Sequence, residues 1–296
     1  MLYGLNISAW HWSPFTLAGL CIVCVLYVLG VWRANSRTDN PPVKWYHVLA
    51  FVTAIFLIAL VLLTPFDMVA RTQLFAAHML QAVVLTTLCA PLLLASTPGP
   101  FWQPVLALPV LPKILQALTR PLVASLLFNA TFLLWHAPGL YNYALAHGTV
   151  YHIEMVSFLL TSLLNWWPLI GPVREFRRLS YPLQMLYAFL DGQPVDIFAF
   201  LLVFTEVIFY PRYAVPQPFV QFGYTALADQ TVAGAFLLIP GIVDLIVMSP
   251  LFFLWLRQIE QKEKLADQQR QEEEEAERLA LEIDDVDETV SEPSEA

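Results

Sequence analysis

Three histidines lie at or near the ends of three different apolar segments, and imidazole is a common ligand of transition metals. His78 stands six residues inside one segment, His136 closes another and His152 opens the next. Each ring taken alone can simply cap a helix end or bond a backbone carbonyl. Ionisable side chains inside apolar membrane segments are costly, however, and usually functional. Neutral imidazole suits copper, zinc, iron and nickel, so the three rings together predict a metal site.

Two methionines accompany these histidines. Met79 directly follows His78, and Met155 lies three residues after His152, on the same face of a helix. Thioether sulfur and imidazole nitrogen together favour copper, and Cu(I) in particular. We therefore expect His78, His136 and His152, with Met155 or Met79, to bind Cu(I).

Four polar residues are candidates for orienting these ligands. They are Gln81, Glu154, Asp229 and Gln230. Carboxylates and amides often hydrogen-bond to ligating imidazoles and fix their orientation without touching the ion. We expect Asp229 and Glu154 to have that orienting role.

Three further carboxylates, Asp191, Asp196 and Asp244, also lie within apolar segments. Carboxylates in such positions usually pair with a partner or line a polar path. Asp191 precedes Gly192 and Pro194, where a break in the helix could expose backbone carbonyls. These residues keep open a proton or ion path across the membrane, with a structural hydrogen bond between helices as the alternative.

Cys21, Cys24 and Cys89 are too few, and too deep in apolar segments, for a disulfide framework. Cys21 and Cys24 form a C-x-x-C pair that could hold Cu(I) or act as a redox pair. The same spacing is also typical of two small residues in an apolar core.

The segments that must position these side chains are long and apolar. The chain is 58% hydrophobic and 13% charged, whereas about a quarter of a soluble domain is charged. Seven runs approach the roughly 20 residues that a membrane span needs: 15–33, 45–64, 72–96, 120–137, 150–170, 183–209 and 226–256. Because backbone groups in lipid must bond within their own segment, these runs predict an all-α polytopic bundle of seven transmembrane helices. Gly and Pro inside the last two runs predict kinks, and the Pro-rich residues 97–119 are expected along the membrane surface.

The basic residues orient this predicted bundle. Of the 15 Lys and Arg residues, only Arg71 and Arg212 fall in the loops of one membrane side. The positive-inside rule therefore places the N-terminus outside the cytoplasm and the C-terminus in it. Every histidine except His47 then falls on the outer side, including His11 and His147.

Two regions follow from this division of the chain. Residues 1–256 form the predicted transmembrane domain and residues 257–296 an acidic cytoplasmic tail. The net charge of −9 comes from the tail, and no basic surface for nucleic acid is expected. Composition predicts a helix from Arg257 to about Ile283 and disorder beyond it. The tail either keeps the protein soluble at its cytoplasmic end or docks a partner there.

An ordered set of short motifs resembles the CtaG-like cytochrome c oxidase assembly factors, which are seven-span proteins of bacterial plasma membranes. The set covers about residues 70–245. It consists of His78-Met79-Leu80-Gln81 with Pro91, Leu134-Trp135-His136-Ala137-Pro138 with Tyr141, Glu154 with Trp166-Trp167-Pro168, Tyr210-Pro211, and Asp229-Gln230 with Ala233-Gly234 and Pro240-Gly241. The family often has a second His where this chain has Ala82, and a His directly after the Glu where this chain has Met155.

The resemblance implies a role in delivering copper to the oxidase, with His78, His136 and Asp229 at positions that match the family motifs. The expected partners are oxidase subunits, the lipid bilayer and an extracytoplasmic copper donor, and the expected location is the bacterial plasma (inner) membrane. A copper or proton transporter and a metal-free assembly scaffold are the alternatives. The sequence has no phosphate-binding glycine loop, G-x-S-x-G elbow or H-E-x-x-H motif, so we expect no enzymatic activity.

Overall fold

The computed structural model describes residues 13–36, 42–176, 179–213, 215 and 217–291, and within these ranges the chain is helical without a strand. His11, which was predicted to lie on the outer side, is outside the described residues. The α-helices are α1 (Pro14–Asn35), α2 (Trp45–Leu63), α3 (Pro65–Thr72), α4 (Phe75–Val83), α5 (Ala90–Ser96), α6 (Gln103–Leu106), α7 (Leu111–Leu118), α8 (Pro121–Trp135), α9 (Pro138–Ala146), α10 (Gly148–Ile170), α11 (Tyr181–Phe204), α12 (Gln217–Gln221), α13 (Ala226–Leu237) and α14 (Ile239–Ser291). A π-helical segment, Val84–Cys89, joins α4 to α5, and short 3₁₀ turns occupy Gly99–Trp102 and Arg174–Phe176.

The helices are long and apolar enough to give six membrane spans among the described residues, or seven when α7 and α8 count as one bent span. These two helices meet at 73°. The prediction of an all-α bundle is confirmed, and seven spans is the upper count. Which side each terminus faces stays a prediction.

The third span, formed by α4, the π segment and α5, is the most enclosed of these spans, with 61% of its apolar window buried. It packs between α2, α10 and α13. Helix α13 in turn packs against α11, and Gly234 permits the close approach, because a Cβ there would lie 2.7 Å from the Ala199 carbonyl oxygen. By contrast, only 6% of α1 is buried, so α1 lies at the periphery.

The π-helical segment was not predicted from the sequence. A π turn shifts the backbone hydrogen bonds by one residue and leaves carbonyl groups for other donors. The Thr86 carbonyl accepts hydrogen bonds from Ser162 Oγ at 2.6 Å and from Trp166 Nε1 at 2.9 Å. Polar side chains of α10 therefore fix α10 against the middle of the third span.

Two predicted irregularities have different outcomes. Near Pro240 the helix is interrupted, since α13 ends at Leu237 and α14 begins at Ile239, and a kink at this point stays a prediction. The break beside Asp191 was wrong, because α11 continues through Pro194 to Phe204. At its far end, α14 continues to Ser291 rather than ending near Ile283, and its acidic residues from Glu260 to Glu277 are exposed.

Candidate metal centre

Two histidines and a glutamate from three helices meet in the interior of the bundle. His78 lies on α4, His136 directly follows α8 and Glu154 lies on α10. The Nε2 atoms of His78 and His136 are 3.3 Å apart, and Glu154 Oε1 is 3.6 Å from His78 Nε2. All three side chains are 2% exposed or less. In the described part of the chain they form the one group of three or more His, Cys, Asp or Glu residues whose ligand atoms are close enough to hold a metal ion.

The tautomer of His136 follows from its backbone contact. His136 Nδ1 lies 2.7 Å from the Phe132 carbonyl oxygen, one turn earlier in α8. A carbonyl oxygen only accepts, so Nδ1 carries the proton and donates it. The Nε2 atom of a neutral His136 therefore presents a lone pair toward His78.

A chain of hydrogen bonds fixes the tautomer of His78 in the same sense. Gln81 Nε2 donates to the Val61 carbonyl at 2.7 Å and to Asp67 Oδ1 at 3.0 Å, so Gln81 Oε1 is left as an acceptor. Gln81 Oε1 accepts a hydrogen bond from the Tyr151 hydroxyl, with 2.6 Å between the two oxygen atoms. The Tyr151 oxygen must then accept from His78 Nδ1, which lies 3.0 Å away. His78 Nε2 is thus also left with a lone pair.

Two lone pairs facing each other at 3.3 Å repel unless a cation lies between them. At metal–nitrogen distances of about 2.0–2.1 Å, a tetrahedral angle separates two nitrogens by about 3.3–3.4 Å. Both carboxylate oxygens of Glu154 are buried and have no hydrogen-bond partner. Buried polar atoms without partners are rare in native structures and require an explanation. Two nitrogen atoms and one carboxylate oxygen placed in this way could together hold a metal ion.

Asp229 holds the helix that carries His78. Its carboxylate accepts hydrogen bonds from the backbone N–H groups of Phe75 at 2.6 Å and Ala76 at 3.3 Å, and from the Tyr224 hydroxyl at 3.0 Å. Leu74 cannot cap α4 with its own side chain, so Asp229 caps the first turn from another helix. The orienting role predicted for Asp229 therefore acts on the helix rather than on an imidazole ring.

The loop after α11 approaches the same centre from the other side. Gln230 Oε1 accepts from the Phe209 N–H, and Gln230 Nε2 donates to the Val207 carbonyl, both at 2.9 Å. This places the Tyr210 hydroxyl 2.5 Å from the His136 carbonyl oxygen. Burial raises the pKa of Tyr210 above its usual range, so the hydroxyl stays protonated and donates. Gln230 thus positions His136 through Tyr210.

A family model described as cytochrome c oxidase caa3 assembly factor matches residues 25–258, which is most of the chain. The chain belongs to this family. No curated protein matches the chain, and no solved structure matches it either. The resemblance found from the motifs is therefore confirmed, and the buried His78, His136 and Glu154 lie inside the matched region.

In this member of the family, His152 does not join the other two histidines. Its Nδ1 lies 2.6 Å from the Gly148 carbonyl oxygen, and its Nε2 faces Asp67 Oδ2 at 3.9 Å. Adjacent residues of an α-helix point about 100° apart. Because Tyr151 faces His78, the ring of His152 points elsewhere, and Glu154 takes the third position that was predicted for His152.

The sulfur-containing candidates in this family member are placed differently. Met79 and Met155 are buried within the main apolar core, and their part in metal binding stays a prediction. Cys21 is exposed, Cys24 is half-buried and Cys89 is buried, and all three are free thiols. None of the three joins the His78 centre.

The carboxylates predicted for a path, Asp191, Asp196 and Asp244, line a small cavity of about 60 Å³. Asp191 accepts from Asn129 Nδ2 at 3.1 Å and from Asn165 Nδ2 at 2.5 Å. The alternative of a structural hydrogen bond between helices is therefore present for Asp191. Phe132 lines this cavity and also packs against the His136 ring.

Tyr151 and Tyr210 are the site residues that sequence reasoning missed. Tyr151 precedes His152 and points to a different face of α10, and a buried tyrosine hydroxyl normally finds a partner. Tyr210 belonged to a motif of the resemblance, but nothing in its spacing indicates a contact with His136.

Proposed function

We propose that this protein assists assembly of cytochrome c oxidase by binding one Cu(I) ion transiently at His78, His136 and Glu154 and releasing it to an oxidase subunit. The main support for the proposal is that the Nε2 lone pairs of His78 and His136 face each other. Beside them lies the buried Glu154 carboxylate, which has no hydrogen-bond partner. Membership of an oxidase assembly family supplies the context.

Net charge favours a monovalent ion in this site. Two neutral imidazoles and one carboxylate carry a charge of −1, so Cu(I) makes the occupied centre neutral, whereas a divalent ion leaves it at +1. An uncompensated charge is expensive in the membrane interior. Imidazole nitrogens also suit copper in general.

The ligand set also suits release of the ion. Thiolates, which are soft ligands that select Cu(I), do not contribute, because no cysteine of the described chain joins the centre. An imidazole and carboxylate site therefore gives up copper to a receiving site that offers softer ligands or more of them. With the predicted orientation, the centre lies toward the extracytoplasmic side of a bacterial plasma membrane.

The proposal is tested with a His78→Ala/His136→Ala variant purified in detergent. We expect the wild type to bind about one Cu(I) tightly and the double variant to lose that site, together with copper loading of the oxidase in cells. His147→Ala is the matched control, because His147 makes the same kind of contact to a backbone carbonyl but is exposed. Unchanged copper stoichiometry in the double variant would refute the proposal, and rescue of oxidase assembly by that variant would favour a metal-free scaffold.

A copper or proton transporter is the second candidate, and the cavity beside Asp191, Asp196 and Asp244 favours it. Intramembrane carboxylates that line a cavity are a common feature of ion pathways. Proton or copper flux into proteoliposomes that is lost in Asp191→Asn would support transport. Absence of flux in the wild type would rule it out.

A further inference from the structure

The centre at His78 and His136 is closed, so an ion from outside must first bind elsewhere. His78 and Glu154 are fully buried, and His136 is 2% exposed. A much larger cavity of about 790 Å³ lies beside this centre between α1, α2 and α10. Its polar lining residues lie mainly where α1 and α10 begin, and they include Ser13, Thr16, Thr149 and His152.

One helix separates the large cavity from the closed centre. On α10, His152 and Met155 line the cavity, whereas Tyr151 and Glu154 face the closed centre. The side chains of His152 and Asp67 are 21% and 12% exposed, whereas that of His78 is fully buried. An ion in the cavity therefore meets His152 and Asp67 before it meets the buried histidines.

The tautomer of His152 leaves a lone pair directed at Asp67. His152 Nδ1 donates to the Gly148 carbonyl at 2.6 Å. Its Nε2 atom is shielded from solvent, has no hydrogen-bond partner and faces Asp67 Oδ2 at 3.9 Å. Imidazole nitrogen and carboxylate oxygen are both metal-ligand types, and here they face each other at 3.9 Å.

Hydrogen bonds connect this pair to the closed centre. The second carboxylate oxygen of Asp67 accepts from Gln81 Nε2 at 3.0 Å, and Gln81 Oε1 accepts from the Tyr151 hydroxyl at 2.6 Å. The Tyr151 hydroxyl oxygen in turn accepts a hydrogen bond from His78 Nδ1 at 3.0 Å. A movement of the Asp67 carboxylate on binding an ion would thus alter the hydrogen bonds that orient the His78 ring.

We propose that His152 Nε2 and the Asp67 carboxylate form an outer site, where a monovalent copper ion binds weakly before it passes to His78, His136 and Glu154. This inference rests on the proposed function of the closed centre, which is the inner centre relative to this outer site. Cu(I) with one carboxylate and a neutral imidazole is again neutral overall. Arg71 also lines the cavity, one turn after Asp67, and its positive charge keeps the affinity of the outer site low, as a site of passage requires.

The outer site is tested by titration of the purified full-length protein with Ag(I), a redox-inert probe for Cu(I) ligands. The wild type should bind two ions, one tightly and one weakly. His78→Ala/His136→Ala should keep only the weak ion, and adding His152→Ala to that variant should abolish it. Adding Asp67→Asn should weaken the outer site about tenfold or more. His147→Ala, added to the same double variant, is the matched control and should change nothing.

A second measurement follows the rate of loading in a protein whose inner centre is intact. His152→Ala should still bind one ion tightly at equilibrium, but should acquire it about tenfold or more slowly than the wild type. Elution as a single species and a helical circular dichroism spectrum establish that each variant is folded.

The outcomes separate the two proposals. The outer site is supported if the triple variant loses the weak ion and if His152→Ala still binds the tight ion but loads it slowly. A triple variant that still binds the weak ion, or His152→Ala that loads at the wild-type rate, overturns it and makes His152 and Asp67 a simple ion pair. A double variant that keeps the tight ion refutes the inner centre instead.

Discussion

The Tyr151 hydroxyl accepts a hydrogen bond from His78 Nδ1 at 3.0 Å and donates one to Gln81 Oε1 at 2.6 Å. This single contact decides which nitrogen of His78 is available to an ion. Partners of this kind behind a ligating imidazole are typically worth 10–100-fold in metal affinity.

Replacing Tyr151 with Phe should therefore weaken copper binding by about 10–100-fold. The variant keeps the ring but leaves His78 Nδ1 without an acceptor, so the neutral ring no longer has to present a lone pair at Nε2. Competition with a coloured Cu(I) chelator measures the affinity. Tyr143→Phe, at an exposed tyrosine, serves as the control, and equal affinities in the two variants would contradict the assignment of the tautomer.

Glu154→Gln tests the charge of the centre. Glutamine keeps nearly the same shape but removes the negative charge, so a bound monovalent ion would leave a net charge of +1 in a buried site. We expect Cu(I) affinity to fall about tenfold or more, while Glu260→Gln on the exposed part of α14 leaves it unchanged. Full affinity in Glu154→Gln would mean that the two histidines suffice without the carboxylate.

Asp229→Asn tests the cap of α4. Loss of the charged acceptor of the Phe75 and Ala76 N–H groups should cost about 0.5–2 kcal/mol of stability, seen as a lower thermal unfolding temperature in detergent. Amide hydrogen exchange should speed up at Phe75 and Ala76. Asp267→Asn is the control, because Asp267 makes an exposed ion pair with Arg270, and such pairs contribute little. Similar unfolding temperatures for both variants would show that Asp229 does not secure this helix.

Gly234→Ala tests the contact between α13 and α11. The added Cβ would lie 2.7 Å from the Ala199 carbonyl oxygen and 2.8 Å from Val203 Cγ2, so the two helices would have to separate. Overpacking of this kind usually costs about 1–3 kcal/mol. Gly241→Ala is the matched control, since nothing lies within 4 Å of its added Cβ, and thermal unfolding of both variants measures the difference. If Gly234→Ala is as stable as the control, the close approach is not required.

Much of the architecture could be predicted from the sequence because membrane spans are local properties of the chain. Each apolar run must satisfy its backbone hydrogen bonds within its own helix, so length and composition indicate the helices without knowledge of their neighbours. The break at Pro240 follows from the missing N–H of proline. The π-helical segment Val84–Cys89 could not be predicted in this way, since the Thr86 carbonyl finds its donors on α10.

His78 and His136 were identified as candidate ligands by the sequence itself, because imidazoles in apolar segments need a reason to be there. The sequence also placed Asp229 near the site, although not at the helix end that it caps. The choice between His152 and Glu154 depended on the rotation of α10, which is set by its packing against α5 and α8. Helical periodicity defines which residues share a face, but not which faces meet. The tertiary structure alone decided that Tyr151 and Glu154 face the inner centre while His152 faces Asp67.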